Sequence, residues 1–461
     1  MTLPHGFVIE LDRRTRVLDD GRALVGGFPT RLVRLTPRAR RLFDGTTLRV
    51  RDAASALLAD RLLELGMANP VVERLPELPD PRYTVVVPVR DRPRQLDRLL
   101  AAIGTEVPVI VVDDGSRDPE AVAAVVAKHR TRLVSLPVNV GPAGARNAGW
   151  RLVTTPYIVF ADSDTVLAPG TVSTLLRHFA DPRVAMAVPR ITALPASGAG
   201  WIARYENGRS ALDLGAHPAA VRPGTPVSWA STACAVMRVD ALEGGFDDRM
   251  RVGEDVDLCW RLVEEGKRVR YEPAATVAHA HRTRLDDWFL RKLVYGTGAQ
   301  PLAERHPAFI APAVFAPWSL AFVALLLAQR QWSITAAGAV LAGAGLQIAR
   351  KVDGTRHPHR LALRLTAGGA VNAVAQTSAL LTRHWWPLTV AGCLMSRRVR
   401  RATAVAALTG LALEYRRDQV LLDPVRYGVA RRLDDLAYGT GVWLSALRGR
   451  SSVALRPRIS R

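Results

Sequence analysis

Between residues 83 and 161, short apolar runs alternate with segments of helical period. YTVVVPV (83–89), VPVIVV (107–112), RLVSL (132–136) and PYIVFA (156–161) are β-branched and apolar nearly throughout, as strands covered on both faces are. RQLDRLLAAI, DPEAVAAVVAKHR and GARNAGWRLV lie between them and read as helices. The alternation predicts βαβ units on a mainly parallel sheet, an α/β domain. Ligands of such sheets bind beyond the carboxyl ends of the strands. That is where VVDDGS, NVGPAGARN and VFADSD fall.

Upstream, GFVIEL and RALVGGF read as the strands of a hairpin around a DDG turn. TPRARRLFDG starts a helix with Thr36 at the N-cap and Pro37 at N1. SALLADRLLELG adds a second helix closed by Gly66, and ANPVVERLP an extended segment. Together they predict a small winged-helix-like module over residues 1–75. The prolines of PELPDPR make residues 76–82 a linker, and the α/β domain is expected over 83–300. Within it, VSWASTACAVMRVDAL reads as a strand running into a turn, GEDVDLCWRLVEEGKRV as a helix closed by Gly266, and YEPAATVAHAH as extended.

Past residue 300 the pattern changes again. Residues 310–329 and 331–349 carry no charged side chain, and each approaches the roughly 20 residues a membrane helix needs. Apolar runs at 365–382 and 384–396 follow, the last flanked by SRRVRR as a cytoplasmic basic flank would be. Residues 301–461 are therefore expected to form a C-terminal apolar helical region at the membrane. The alternative is a set of helices packed on the catalytic domain of a soluble protein.

Charge narrows the partners. Lys plus Arg number 63 against 42 Asp plus Glu, a net +21, which favours anionic ligands such as phosphorylated sugars or acidic lipid headgroups. With no recognition helix or zinc-finger spacing, nucleic acid is not expected. Cys234, Cys259 and Cys393 lie too far apart in the chain for a disulfide scaffold or a zinc motif. MTLPHGFVIELDRRTR lacks the apolar core of a signal peptide, so the catalytic part is expected on the cytoplasmic side of the cell membrane.

The candidate chemistry sits at strand ends. Asp113 and Asp114 of VVDDGS suit hydrogen bonds to a base and to ribose hydroxyls; an Asx turn capping the next helix is the plainer use of the same residues. NVGPAGARN offers small residues for close backbone approach, and Arg146 for a base or a phosphate. Asp162 and Asp164 of VFADSD flank one residue after a buried strand. Unpaired buried acids are costly, and a divalent ion bridging them to a diphosphate removes that cost. Glu254 and Asp255 open a helix whose dipole favours ionised acids, either as caps or with Asp255 as a general base. His279 or His281 is placed to complete a metal shell beside Asp164.

Taken in order, VVVPVRDR, VVDDGS, NVGPAGARN, ADSD, GGFDD, GEDVDLCWR and the late VAH resemble family 2 glycosyltransferases of GT-A fold over about residues 80–285. That resemblance implies a nucleotide-sugar donor, with UDP-glucose expected, held by Pro88, Arg90, Asp91, Asp113, Asp114, Arg146 and Asp162. It implies a divalent metal, Mg2+ or Mn2+, on Asp162, Asp164 and His279. Asp255 is then the base of an inverting transfer, with Glu254 and Trp229 on the acceptor side. Arg90 stands where many relatives carry an aromatic residue that stacks on uracil. DDWFLRKLVYGTG replaces the QxxRW motif of processive synthases. More narrowly, HGFVIELD, LVGGFPTRLVRLTPRA and YGTGAQPLAERHP resemble the branch of the family that glucosylates a redox-cofactor precursor derived from a ribosomal peptide. The first 75 residues resemble peptide-recognition domains, which implies a hold on that peptide-derived acceptor. A lipid-linked or cell-envelope glycan is the rival acceptor, and a non-catalytic peptide-binding scaffold the rival class.

Overall fold

The strand-rich start of the chain is built on pairings distant in sequence. In the computed structural model, which describes residues 2–194, 200–280, 284–418 and 420–460, this module contains β1 (Val8–Leu11), β2 (Arg16–Leu18), β3 (Ala23–Gly26), β4 (Arg31–Arg34), β5 (Phe43–Asp44), β6 (Thr47–Arg49) and β7 (Ala68–Pro70). One antiparallel sheet runs β5-β6-β1-β7 and another β2-β3-β4. The DDG turn is present, but it joins β3 to β2, while β1 pairs with β6 and β7. Helix α1 (Pro37–Arg40) has the expected Thr36 cap, whose Oγ1 accepts from Ala39 N at 3.2 Å, yet lasts one turn because Phe43 and Asp44 enter a strand. Helix α2 (Ala53–Leu65) is the module's main helix; Asp52 and Ser55 cap it reciprocally, and Gly66 ends it at φ +66°. Its buried Leu62 and Leu63 pack with Phe7, Ile9 and Leu48. Residues 76–82 have no regular structure.

The module is bound electrostatically to the domain that follows. Glu64 of α2 accepts from Arg183 Nη1 at 2.7 Å, and Asp60 accepts from Arg268 Nη2 at 2.5 Å. Arg268 also reaches the buried Asp181 at 2.6 Å.

The α/β domain contains β8 (Tyr83–Val89), β9 (Val109–Asp113), β10 (Arg132–Ser135), β11 (Tyr157–Ala161), β12 (Thr165–Leu167), β13 (Val184–Ala193), β14 (Ala219–Ala220), β15 (Cys234–Arg238) and β16 (Arg268–His279). Their order is β10-β9-β8-β11-β15-β13-β16-β12, with β14 beside β16. The half carrying the apolar runs, β10 to β11, is parallel. Beyond β11 the sheet is mixed, since β15 runs antiparallel to both neighbours and β13 parallel to β16. Helices α3 (Pro93–Ile103), α4 (Pro119–Lys128) and α5 (Gly141–Trp150) are the crossovers of the parallel half, α6 (Thr171–Arg177) packs on β16, and α8 (Glu254–Glu264) precedes that strand. Val85, Val87, Val111 and Val159 are buried in its core, each contributing about 1.5–3 kcal/mol. Gly149 lets α5 settle onto the sheet, because a Cβ there would collide with Val86.

By contacts, the described residues divide into two units, residues 1–196 with 210–281 and residues 197–209 with 282–461. The second is helical: α7 (Trp201–Arg209), α9 (Leu285–Thr297), α10 (Ala299–Arg305), α11 (Pro317–Ala328), α12 (Gln331–Lys351), α13 (Pro358–Ala379), α14 (Trp386–Met395), α15 (Arg397–Asp418) and α16 (Pro424–Arg448). Buried and half-buried ion pairs stitch it together, including Lys292 to Glu206 at 2.8 Å, Arg209 to Asp418 at 2.6 Å and Arg431 to Glu414 at 2.6 Å. Among the described residues α12 alone is long and apolar enough to cross a membrane; α11 and α14 are shorter.

Candidate active site

Beyond the ends of β8, β9 and β11, the chain returns as a set of interlocked polar loops. Asp91, in left-handed backbone at φ +56°, donates its N–H to Ser116 Oγ at 2.9 Å, and its Oδ1 accepts from Arg117 N at 2.7 Å. The loops after β8 and β9 are thereby tied. Asp113 is buried and accepts from Ser116 N at 3.1 Å and Oγ at 2.6 Å, an Asx turn. Asp114 accepts from Asn139 Nδ2 at 2.6 Å, Val140 N at 2.7 Å and Gly141 N at 3.0 Å, so its carboxylate holds the loop that opens α5. Burial raises its pKa, opposed by those backbone donors and by the charges of Arg90 and Arg251. Gly115 at φ +67° is needed here, since a Cβ would lie 2.8 Å from Asn139 N.

Arg146 is turned inward. Expected on a base or a phosphate, it is instead buried on α5, with Nη2 donating to Asp162 at 2.7 Å and Nη1 to Glu254 at 2.9 Å. The guanidinium lies 5.6 Å from the centre of the Phe246 ring. One planar cation therefore joins the end of β11 to the start of α8, where a fork of donors matches two carboxylates.

Asp164 occupies a second cationic pocket. Arg92 donates to its Oδ2, and His279 Nε2 lies 3.4 Å from its Oδ1, brought there by the pairing of β12 with β16. Burial would raise this carboxyl, but His279 and Arg92 outweigh it and hold the pKa at about 2. The three-ligand set of Asp162, Asp164 and His279 is not assembled, because Asp162 faces Arg146. Among the described residues no three His, Cys, Asp or Glu side chains converge as a metal cage. The donor types nevertheless suit Mg2+ or Mn2+, which take one or two carboxylates and fill the shell with phosphate oxygens and water. His281 lies outside the described residues.

At the start of α8 two acids are adjacent in sequence and differ in surroundings. Glu254 is 7% exposed. Burial and the charge of Asp255 push its pKa up to about 7 despite Arg146. Asp255 is only half-buried and accepts from Val256 N at 2.8 Å. Burial raises its pKa too, with Arg146 opposing, Asp162 adding and a hydrogen bond from Ser231 opposing. Trp229 is half-buried in the same segment as Ser231 and Ser228, whose carbonyl accepts from Trp260 Nε1 of α8 at 2.8 Å. Pro88 is half-buried in β8 opposite Val112, and Arg90 is exposed at the strand's end.

A pH effect follows. Between about pH 4.5 and 7 folded Glu254 keeps a proton that the unfolded chain releases, so this group's contribution to stability is present at low pH and lost as pH rises through the window. Glu254→Gln is expected to flatten that slope by on the order of 3 kcal/mol, read by urea denaturation across the range. An unchanged slope would assign the pH dependence elsewhere.

Arg92, Asn139, Ser231 and Arg251 join the site without having been singled out from sequence. VRDRP holds two arginines, and its pattern does not say that Arg92 reaches an acid 72 positions away. Asn139 does sit inside a motif already marked, and an Asn before a Gly-rich helix start is a signal for such a bridge.

The model of glycosyl transferase family 2 matches residues 84–246. The chain is 42% identical over 468 residues to the pre-mycofactocin glycosyltransferase of Mycobacterium tuberculosis (strain ATCC 25618 / H37Rv), covering 99% of this chain and 98% of that protein. It is 30% identical over 263 residues to an N-acetylglucosaminyltransferase of Rhizobium meliloti (strain 1021), covering 51% of this chain and 62% of that one. Among solved structures, mannosyltransferase PcManGT from Pyrobaculum calidifontis, in complex with GDP-Man and Mn2+, aligns at a TM-score of 0.37 and 20% identity, covering 74% of this chain and 89% of that chain.

Proposed function

Since the chain belongs to the pre-mycofactocin glycosyltransferases of family 2, we propose that it transfers glucose from UDP-glucose to the peptide-derived redox-cofactor precursor. The transfer inverts the anomeric centre, and repeated transfer builds a β-1,4-linked oligoglucoside. The observation that carries this reading is the placement of Asp255: half-buried, raised in pKa and within the field of Asp162 and Arg146 at the end of the parallel half-sheet. An acid so placed takes the proton of an acceptor hydroxyl at near-neutral pH. The hydroxyl oxygen then bonds to the anomeric carbon, and the bond from that carbon to the diphosphate breaks. Arg146 keeps Asp162 and the first turn of α8 in register while this happens.

Asp164 and His279, with Asp162 on reorientation, are the residues that would hold Mg2+ or Mn2+, which when bound neutralises charge on the departing diphosphate. Asp91, Asp113 and Asp114 stiffen the loops around the nucleotide, and Arg90 and Arg251 bring positive charge to them.

The acceptor has a place in the N-terminal module. A cavity of about 460 Å³ opens there, lined by Leu11, Val17, Leu24, Leu35 and Phe43 with Asp20, Arg40 and Arg41, and its apolar wall with charged residues beside it supports recognition of a small apolar group bearing polar atoms. The helical unit is assigned to the cytoplasmic face of the cell membrane. Its exposed apolar side chains favour, as a second reading, a lipid-linked glycan as acceptor.

One assay separates these readings. Purified protein is incubated with radiolabelled UDP-glucose and, in parallel, pre-mycofactocin or a lipid-linked glycan, with and without EDTA. Transfer to the first acceptor alone, lost with EDTA and restored by Mn2+, is expected. Transfer only to the lipid-linked acceptor would replace the proposal, and no transfer from any sugar nucleotide would leave the scaffold.

A further inference from the structure

The second unit carries an apolar and basic tip. Helix α14 has no buried residue. Its Leu388, Val390, Leu394 and Met395 are 58, 50, 80 and 88% exposed. At 3.6 residues per turn Leu388 and Met395 lie on one side of α14 and Val390 and Leu394 on the other, so no apolar face of it is turned into a core. One residue beyond Met395, α15 opens with Arg397 and Arg398, both exposed.

This corner is held against another of the same character. Arg401 donates from Nε to Gln329 Oε1 at 2.7 Å and from Nη2 to Gln329 O at 2.9 Å. The start of α15 thus sits on the turn joining α11 to α12. Ser333 fixes that second turn by donating from Oγ to Arg330 O at 2.8 Å and accepting from Arg330 N at 3.2 Å. Past it, Trp332 and Ile334 are 58 and 72% exposed, and Arg330 is exposed as well.

We propose that this tip is a monotopic membrane-insertion site for an anionic bilayer. Leu394, Met395, Trp332 and Ile334 enter the boundary between headgroups and acyl chains, while Arg330, Arg397 and Arg398 sit among lipid phosphates. The choice of a lipid surface rests on charge complementarity and side-chain chemistry. Tryptophan and arginine around protruding aliphatic residues match an interface that is apolar inside and anionic at its rim, whereas an apolar protein partner gives no use for the arginine row. Helix α14, at 10 residues, is about half the length a membrane crossing requires, so it enters without spanning. The inference deepens the membrane assignment above and rests on it, specifying the segment, the depth and the lipid charge.

The test uses the full chain and two vesicle populations, phosphatidylcholine alone and phosphatidylcholine with phosphatidylglycerol. Sedimentation is expected to show binding to the anionic vesicles that weakens as salt rises. Leu394→Glu with Met395→Glu should reduce the partition coefficient at least tenfold on both populations. Arg397→Glu with Arg398→Glu should reduce it about tenfold or more on the anionic one alone. Glucose transfer to a soluble acceptor, followed in parallel, should stay within twofold, which separates failure of this site from failure of the enzymatic reading. Unchanged partition of the variants, or self-association that the Leu394/Met395 variant abolishes without any vesicle binding, overturns the proposal. So does release from membranes by detergent but not by high salt, the behaviour of a spanning segment.

Discussion

Asp255→Asn is expected to lower glucose transfer by roughly 10³-fold, the scale of a lost general base, while the dissociation constant for the sugar nucleotide stays within about twofold. The asymmetry between Glu254 and its neighbour leads to this choice. Arg146 engages Glu254 at 2.9 Å within the interior, so an incoming hydroxyl has little access to it. Asp255 is half-buried where Glu254 is buried, no arginine among the described residues donates to it, and its hydrogen bonds to Val256 N and Ser231 orient the side chain without neutralising it. Asparagine preserves the shape and much of the hydrogen bonding but cannot accept the proton. Measured kcat and calorimetric donor affinity together decide: a variant that still transfers glucose within tenfold of the parent removes Asp255 from the reaction, and one that loses donor binding makes it a structural residue.

The legible parts of the molecule are those whose determinants are local. Val85 to Val87, Val109 to Val112 and Ile158 to Phe160 are apolar on both faces, and they become adjacent parallel strands. Asp113 shows both what is readable and what is not. Its position at a strand end follows from the apolar run before it, whereas its engagement with Ser116 depends on the turn that Gly115 permits. Arg146 is legible only in part. Its direction is decided by where the first turn of α8 arrives, 108 positions further along, and no pattern within NVGPAGARN carries that information. The same limit explains the module, where the DDG turn is visible in sequence but the true partners of β1 are Thr47–Arg49 and Ala68–Pro70. Strand β13 has a weaker local signal, because VAMAVPRITA lacks strict alternation and carries Pro189 within the run, which argues against a strand. In the tail, hydropathy located apolar runs, but lengths and turns decide which could span a bilayer. The run ending at Gln329 is cut to α11 by Pro317 and the preceding extended residues.

Arg146→Leu is expected to destabilise the fold by about 3–5 kcal/mol, the cost of stripping the partner from buried charges. The leucine fills much of the space, so the loss is electrostatic in origin: Asp162, Glu254 and Asp255 would share a poorly solvated pocket without the cation that opposes their mutual repulsion. Their response is to bind protons. Glu254, already raised to about 7 with Arg146 present, rises further without it. Folded protein then holds more protons than unfolded protein over a wider pH range, and stability falls more steeply as pH increases. The destabilisation should therefore be several-fold larger at pH 8 than at pH 5, a signature that a cavity or a packing fault would not give. Arg146→Lys should recover part of the loss, because one ammonium supplies the charge but cannot bridge two carboxylates with the same fork. Combining Arg146→Leu with Glu254→Gln should cost less than the sum of the two single variants, as expected of groups in one network. Urea denaturation of the parent and the four variants at both pH values provides the measurement. If Arg146→Leu loses less than 1 kcal/mol, or loses the same amount at pH 5 and pH 8, Arg146 is not what holds the acids of the strand end and the helix start together.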